Sequence, residues 1–228
     1  MSDYRIFVTA PSADYKLINE LLVYLRDWED GSGDAFHLQT SKTIDESEKA
    51  SEEPVSIPIA VPGSVTAENF QNAWSGASIE EVEAFAAKEL MGIASPQAHV
   101  HFFLVLDEQG VGDRTVLGVA QDEPEESDED EDDEEGDGKG QQPASSQGTE
   151  STATRYNKVR MPWHGAYLFC ANRGESNMNF EEFCDQDVEP DEQLFWRLNE
   201  DLAGDECGED ANKKREKLLK KLKKEGKM

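Results

Sequence analysis

His99 and His101 stand two residues apart in "AHVHFFLVLD". On a strand that spacing puts both imidazoles on one face, and His164, on a strand paired with theirs, could add a third and complete a zinc site. No cysteine or carboxylate at ligand spacing supports such a set, so edge histidines with ordinary hydrogen bonds are the plainer account. Further on, "NMNFEEF" gathers Asn177, Asn179, Glu181 and Glu182 at the start of a short helix, where backbone amides can hold an anion or a substrate. Asn177 and Asn179, together with His164 and Asn172, form a candidate polar site. The same block also has a purely structural reading: Asn179 caps, Glu182 stands at the third helical position, Phe180 and Phe183 bury, and the carboxylates complement the helix dipole. Cys170 follows "AYLF" with no base placed beside it by spacing, and reads as a small buried residue. The chain has no Gly-rich phosphate loop, nucleophile elbow, kinase signature or zincin signature, and no cofactor is implied.

The elements that must position these residues are legible in parts. "YRIFVT" (Tyr4 to Thr9) alternates and is rich in β-branched and aromatic residues, which predicts a strand. After Pro11, Leu17, Ile18, Leu21, Leu22, Leu25 and Trp28 recur on one face of a helix that "DGSGD" ends. "AFHLQT" (Ala35 to Thr40) predicts a second strand, and the polar stretch Ser41 to Pro54 a mobile loop. "VSIPIAVP" belongs at a sheet edge or in a loop, because its prolines lack donors. Two helices are expected next: one from Thr66 burying Phe70, Ala73 and Trp74, and one with Ser78 and Glu81 as a capping box. The apolar centre of "HVHFFLVLD" predicts a strand covered on both faces, with Thr115 to Ala120 as its neighbour. Beyond residue 155, "RYNKVRM" reads as a strand, "NMNFEEFC" as a short helix, and "PDEQLFWRLNEDLAG" as another helix stopped by Gly204.

Between these halves lies "EPEESDEDEDDEEGDGKG", part of a run with 13 carboxylates from Asp122 to Asp137, followed by a Ser/Thr/Gly-rich stretch that cannot bury apolar surface either. If this region separated two domains, the C-terminal side would keep only about 55 ordered residues, a marginal domain. If it interrupts one domain, lengthening a turn of about six residues to about 34 costs roughly 1.5 kcal/mol of loop closure. The second arrangement is cheaper. The expected fold is therefore a single α/β domain with a mixed central β-sheet flanked by helices, with a long disordered acidic insertion and a basic C-terminal tail. In residue terms, 1–120 and 155–204 form the interrupted domain, 121–154 the insertion, and 205–228 a basic tail able to form a helix.

The segment "NKVRMPWHGAYLFCANRGESNMNFEEFCD" (157–185) resembles the end of an uncharacterised α/β domain-of-unknown-function family with a C-terminal NMDFEEF-type block. The matching residues are Pro162, Tyr167, Asn172, and Asn177, Met178, Asn179, Phe180, Glu181, Glu182 and Phe183. "IFVTAPSADYKLINELL" is similar to the strand, polar cap and amphipathic helix with which that family begins. The sequence departs from it at Asn179, where the family has Asp, at Ala171 beside Asn172, and in its acidic insertion and basic tail. The resemblance implies one interrupted α/β domain and no particular activity.

Charge narrows the function classes. A net charge of −28 makes the body repel nucleic acid and anionic membranes. The tail is the exception, with nine Lys/Arg between Lys213 and Lys227 against Glu216 and Glu225, a net of +7. Direct nucleic-acid contact is expected only through 213–227, which also has the composition of a nuclear import signal. The acidic stretch 122–138 has a plain reading as a self-repelling, solvated run and a functional one as a docking strip for basic proteins; Ser127 in "SDED" suits an acidophilic kinase, whose phosphate would add about two more negative charges. Without an apolar leader, and with three widely spaced cysteines, the chain reads as intracellular, cytoplasmic or nuclear, with no membrane contact. The expected function is a non-enzymatic interaction module using the acidic loop and the basic tail. The alternative is an enzyme or small-ligand-binding protein with its site near the NMNFEEF block.

Overall fold

All five residues of Tyr4–Val8 (β1) are buried, as an alternating apolar segment must be when a sheet is covered on both faces. In the computed structural model, which describes residues 4–28, 33–44, 58–91, 93, 101–122, 154–174, 177–202, 204 and 207–228, β1 lies inside a mixed six-stranded sheet. The other strands are Phe36–Leu38 (β2), Phe102–Leu106 (β3), Thr115–Gln121 (β4), Tyr156–Pro162 (β5) and Phe195–Trp196 (β6), in the spatial order β2-β1-β3-β4-β5-β6. β1 pairs in parallel with β2 and β3, β4 runs antiparallel to β3 and β5, and β6 runs parallel to β5.

Helices cover both faces. Tyr15–Leu25 (α1) starts where the Asp14 carboxylate accepts the amides of Lys16 and Leu17 at 3.0 and 2.9 Å, and it buries Ile18, Leu21, Leu22 and Leu25. On the same face, Ala166–Gly174 (α4) contributes Ala166, Phe169 and Cys170 to the cluster containing Ile6, Leu104 and Val159. The opposite face holds Phe7, Phe103, Val105 and Val119 under Ile79–Phe85 (α2), which continues as a π-helical turn through Leu90. Ser78 and Glu81 form the capping box predicted for α2. A six-residue helix, Glu108–Asp113 (α3), connects β3 to β4.

The acidic run lies inside a hairpin. Seven residue pairs join β4 to β5, from Thr115 opposite Pro162 to Gln121 opposite Tyr156. One step beyond, the Asp122 amide donates to the Arg155 carbonyl at 2.9 Å, and the Asn157 amide donates to the Asp122 carboxylate at 3.0 Å. The two ends of the connection are thus bonded to each other, and residues 123–153 lie outside the described residues. The second half of the chain completes the core begun by the first. At Gly118 in β4, a Cβ would stand 2.5 Å from Met161 Cε and 3.0 Å from the Phe169 ring, so only glycine lets α4 approach this closely.

Several segments differ from the sequence reading, the unpredicted helices α3 and α4 among them. Residues 66–76 form turns instead of a helix: the Asn69 and Thr66 side chains bond each other's amides, and Asn72 accepts the Trp74 amide, which satisfies locally the groups a helix would need. Residues 190–204 hold β6 and a short 3-10 turn, Glu200–Leu202, in place of one helix. Leu194 adopts φ 60°, which breaks the helical path, while its carbonyl accepts the Lys158 amide at 2.8 Å and carries the chain into the sheet. The basic segment is a docked helix, Glu209–Lys224 (α5), that buries Ala211, Arg215 and Leu222. The short helix of the NMNFEEF block is the 3-10 turn Phe180–Phe183.

Candidate functional site

In a sheet whose winding reverses between β1 and β3, the crevice at their carboxyl ends is the usual place for a ligand. Here hydrogen bonds among the described residues bridge that crevice. The Thr9 and Ala10 amides both donate to the Leu106 carbonyl, at 2.9 and 3.1 Å, and the Gly76 amide and Asn72 side chain bond the carbonyls of Thr9 and Val8 at 2.8 and 2.7 Å. The Ser12 amide and hydroxyl bind Glu108 at 2.8 and 2.5 Å. Asp107 accepts the Gly110 amide at 2.8 Å and receives both Arg160 nitrogens, at 3.0 and 2.5 Å. Burial works against the Asp107 charge, but the bonds from Arg160 and Gly110, with Arg160's charge, outweigh it and hold the carboxyl below its ordinary range.

The residues nominated by sequence do not converge. His101 precedes β3, where its Nδ1 meets Gln121 Oε1 at 2.9 Å, whereas His164 lies in the 3-10 turn Trp163–Gly165 beyond β5. Gln121, and Thr115 opposite Pro162, are at opposite ends of β4, roughly 20 Å apart at the strand rise, so His101 and His164 do not meet. His99 lies outside the described residues, as does Ser127. Among the described residues, no group of His, Cys, Asp or Glu side chains could hold a metal ion. His164 precedes α4 and Asn172 is near its other end, about 12 Å away along the helix. Asn172 joins Asn177 through a backbone bond of 2.9 Å, and Asn179 forms a capping box with Glu182, whose carboxylate accepts the Asn179 amide at 2.8 Å. The bond between Asn172 and Asn177 is one of backbone groups, and Asn179 has a folding role as the cap of the 3-10 turn.

The buried thiols are not poised for chemistry. Burial pushes Cys170 well up, and burial together with the Glu181 charge pushes Cys184 up to about 12. Among the described residues, the buried hydroxyl of Tyr156 has no partner, and burial and the Glu83 carboxylate push it up to about 12. Glu83 itself holds the Lys158 ammonium at 2.7 Å.

The C-terminal helix presents the strongest charge pattern. Arg215 turns inward with its guanidinium 5.1 Å from the Tyr24 ring of α1, and Leu222 packs against Gly63, whose φ of +85° and closeness to Leu222 leave no room for a Cβ. Asn19, fully buried in α1, ties the segment down. Its Oδ1 accepts the amides of Gly63 and Val65 at 2.8 and 3.3 Å, and its Nδ2 donates to the carbonyls of Val65 and Lys227 at 2.9 and 3.0 Å. With one side of α5 held in this way, Lys213, Lys217, Lys220 and Lys224 fall on the opposite, exposed side. Lys213 pairs with Glu209, and Lys220 with Glu216, while Lys214, Lys217, Lys223 and Lys224 make no ion pair among the described residues.

Sequence reasoning missed Asp107, Arg160 and Asn19. An Asp closing an apolar strand could have drawn attention to the crevice; nothing in "KLINELL" distinguishes Asn19 from a solvated helix position. Comparison with protein-family models, with curated proteins and with solved structures finds no match. Among the described residues, no helix is long and apolar enough to cross a membrane.

Proposed function

We propose that this protein is a non-enzymatic interaction module whose binding elements are the acidic stretch in the β4–β5 connection and the outward lysine face of α5. The observation that carries the reading is the docking of α5. Arg215 is spent on Tyr24 of α1 and Leu222 on Gly63, which leaves an exposed face rich in lysine, with Glu209 and Glu216 beside Lys213 and Lys220, held on the domain. The bonding at the carboxyl ends of β1 and β3 supports the same reading, because Asp107, Arg160 and the Thr9 and Ala10 amides there are partnered by groups of the chain itself. The acidic stretch, with 13 carboxylates between Asp122 and Asp137, is the element that attracts a basic polypeptide such as a histone-like tail. Phosphate on Ser127 would strengthen it by about two charges.

The test is capture by the intact chain and by two variants, one with the carboxylates of 122–137 amidated by Gln and Asn substitution, and one with the α5 lysines replaced by Gln. Partners retained by the intact chain and lost with either variant support the reading. An identical set of partners on all three sinks it.

A further inference from the structure

We infer that the exposed lysine row of α5 is a docking surface for an acidic polypeptide segment, as distinct from nucleic acid or an anionic bilayer. The inference rests on the interaction reading above and names the partner class for one of its two elements.

The row has a defined geometry. Lys213, Lys217, Lys220 and Lys224 recur at intervals of four, three and four, which stacks them along one side of a helix whose other side buries Ala211, Arg215 and Leu222. Sixteen residues make a rod about 24 Å long, matched by an extended peptide of roughly seven or eight residues. The rod does not need to be ordered by its partner, since the Asn19 bond to the Lys227 carbonyl and the Leu222 contact with Gly63 already fix it on the domain. Less ordering entropy therefore opposes binding.

The exposed cations of the row are all ammonium groups, since Arg215 is turned inward, and they act as point charges, with Glu209 and Glu216 beside Lys213 and Lys220. Two features select the partner. No aromatic side chain lies between Lys213 and Lys227 for bases to stack on. Finally, the rest of the chain is strongly acidic, its net charge being −28 even with this segment included. α5 holds its lysines about one helix diameter, ~10 Å, outside α1, comparable to the screening length at physiological salt. A narrow acidic peptide lying on the row feels the lysines and little of the body. A duplex or a flat bilayer is wider than the row and brings further negative charge against that body.

The experiment uses the full chain and fluorescence anisotropy with a labelled Asp/Glu peptide of about ten residues, duplex DNA of similar charge, and phosphatidylserine vesicles. The lysine variant carries K213Q, K217Q, K220Q and K224Q; a control removes cations elsewhere, at Lys42, Lys88 and Arg155. The expected result is salt-sensitive peptide binding that weakens about tenfold in the lysine variant and is unchanged in the control, with far-UV circular dichroism the same in all three. Stronger binding to DNA or vesicles than to the peptide would overturn the assignment of partner. Peptide binding that survives in the lysine variant, or the absence of peptide binding to the intact chain, would overturn the surface. Neither outcome touches the wider interaction reading unless the capture experiment also fails.

Discussion

Asn19 is a polar residue in the apolar stripe of a helix, yet no atom of its amide is wasted. It replaces the backbone partners that the turn at 63–65 lacks and also holds the carbonyl of Lys227. Asn19→Leu removes every one of these bonds and leaves buried amides without acceptors, so it should cost about 3 kcal/mol in urea denaturation. Tyr156 is the reverse case. Its buried hydroxyl has no partner, so Tyr156→Phe should leave stability unchanged or raise it by up to about 1 kcal/mol, and should remove the tyrosine that ionises at about 12 in an ultraviolet titration. Asp107 governs the acid side. Its pKa is lowered in the folded chain, so its contribution is complete above its ordinary value of 3.8 and is lost as pH falls through the lowered value. The urea midpoint should therefore fall at acid pH, and fall less steeply in Asp107→Asn. At this scale the sequence was legible where a rule is local, as in the boxes of Ser78 with Glu81 and Asn179 with Glu182. It was opaque at Asn19 and Arg160, whose partners lie 46 and 53 residues away.

Among the elements, α5 departs furthest from its sequence appearance. Its composition is that of a solvated charged run, and only Ala211, Arg215, Leu218, Leu219 and Leu222 mark the side that meets α1. Leu222→Ala should destabilise the whole domain by about 2–3 kcal/mol in thermal or urea unfolding, an effect that a free tail could not produce. β1, α1 and β3 could be read because periodicity and burial agree over their whole length. The segment 66–76 and the segment 190–204 could not. In the first, asparagine and threonine side chains compete with helical bonds; in the second, Leu194 takes a left-handed turn to reach the edge of β5. α4 went unread since its amphipathic stretch is short and interrupted by polar residues on the side that contacts Asn177.

At the scale of the molecule, the sheet unites residues on both sides of the acidic run, as the loop-closure estimate anticipated. Strand order was not legible, because nothing local in β3 or β4 states which strand lies on its far side. Replacing 123–153 with a turn of a few residues should preserve the β4–β5 pairing and raise stability by about 1.5 kcal/mol, measured as a shift in the urea midpoint. A drop in stability would mean that the connection contributes contacts of its own.

The order β1-β3-β4-β5 also has a consequence for synthesis on the ribosome. When residue 121 has been translated, β4 is an apolar strand with one open edge, and its partner is completed only some 40 residues further downstream. At about 5–20 residues per second, that edge waits roughly 2–8 s for β5. Throughout the wait it is followed immediately by carboxylates, so nascent chains on neighbouring ribosomes repel one another at the place where strands would otherwise pair between copies.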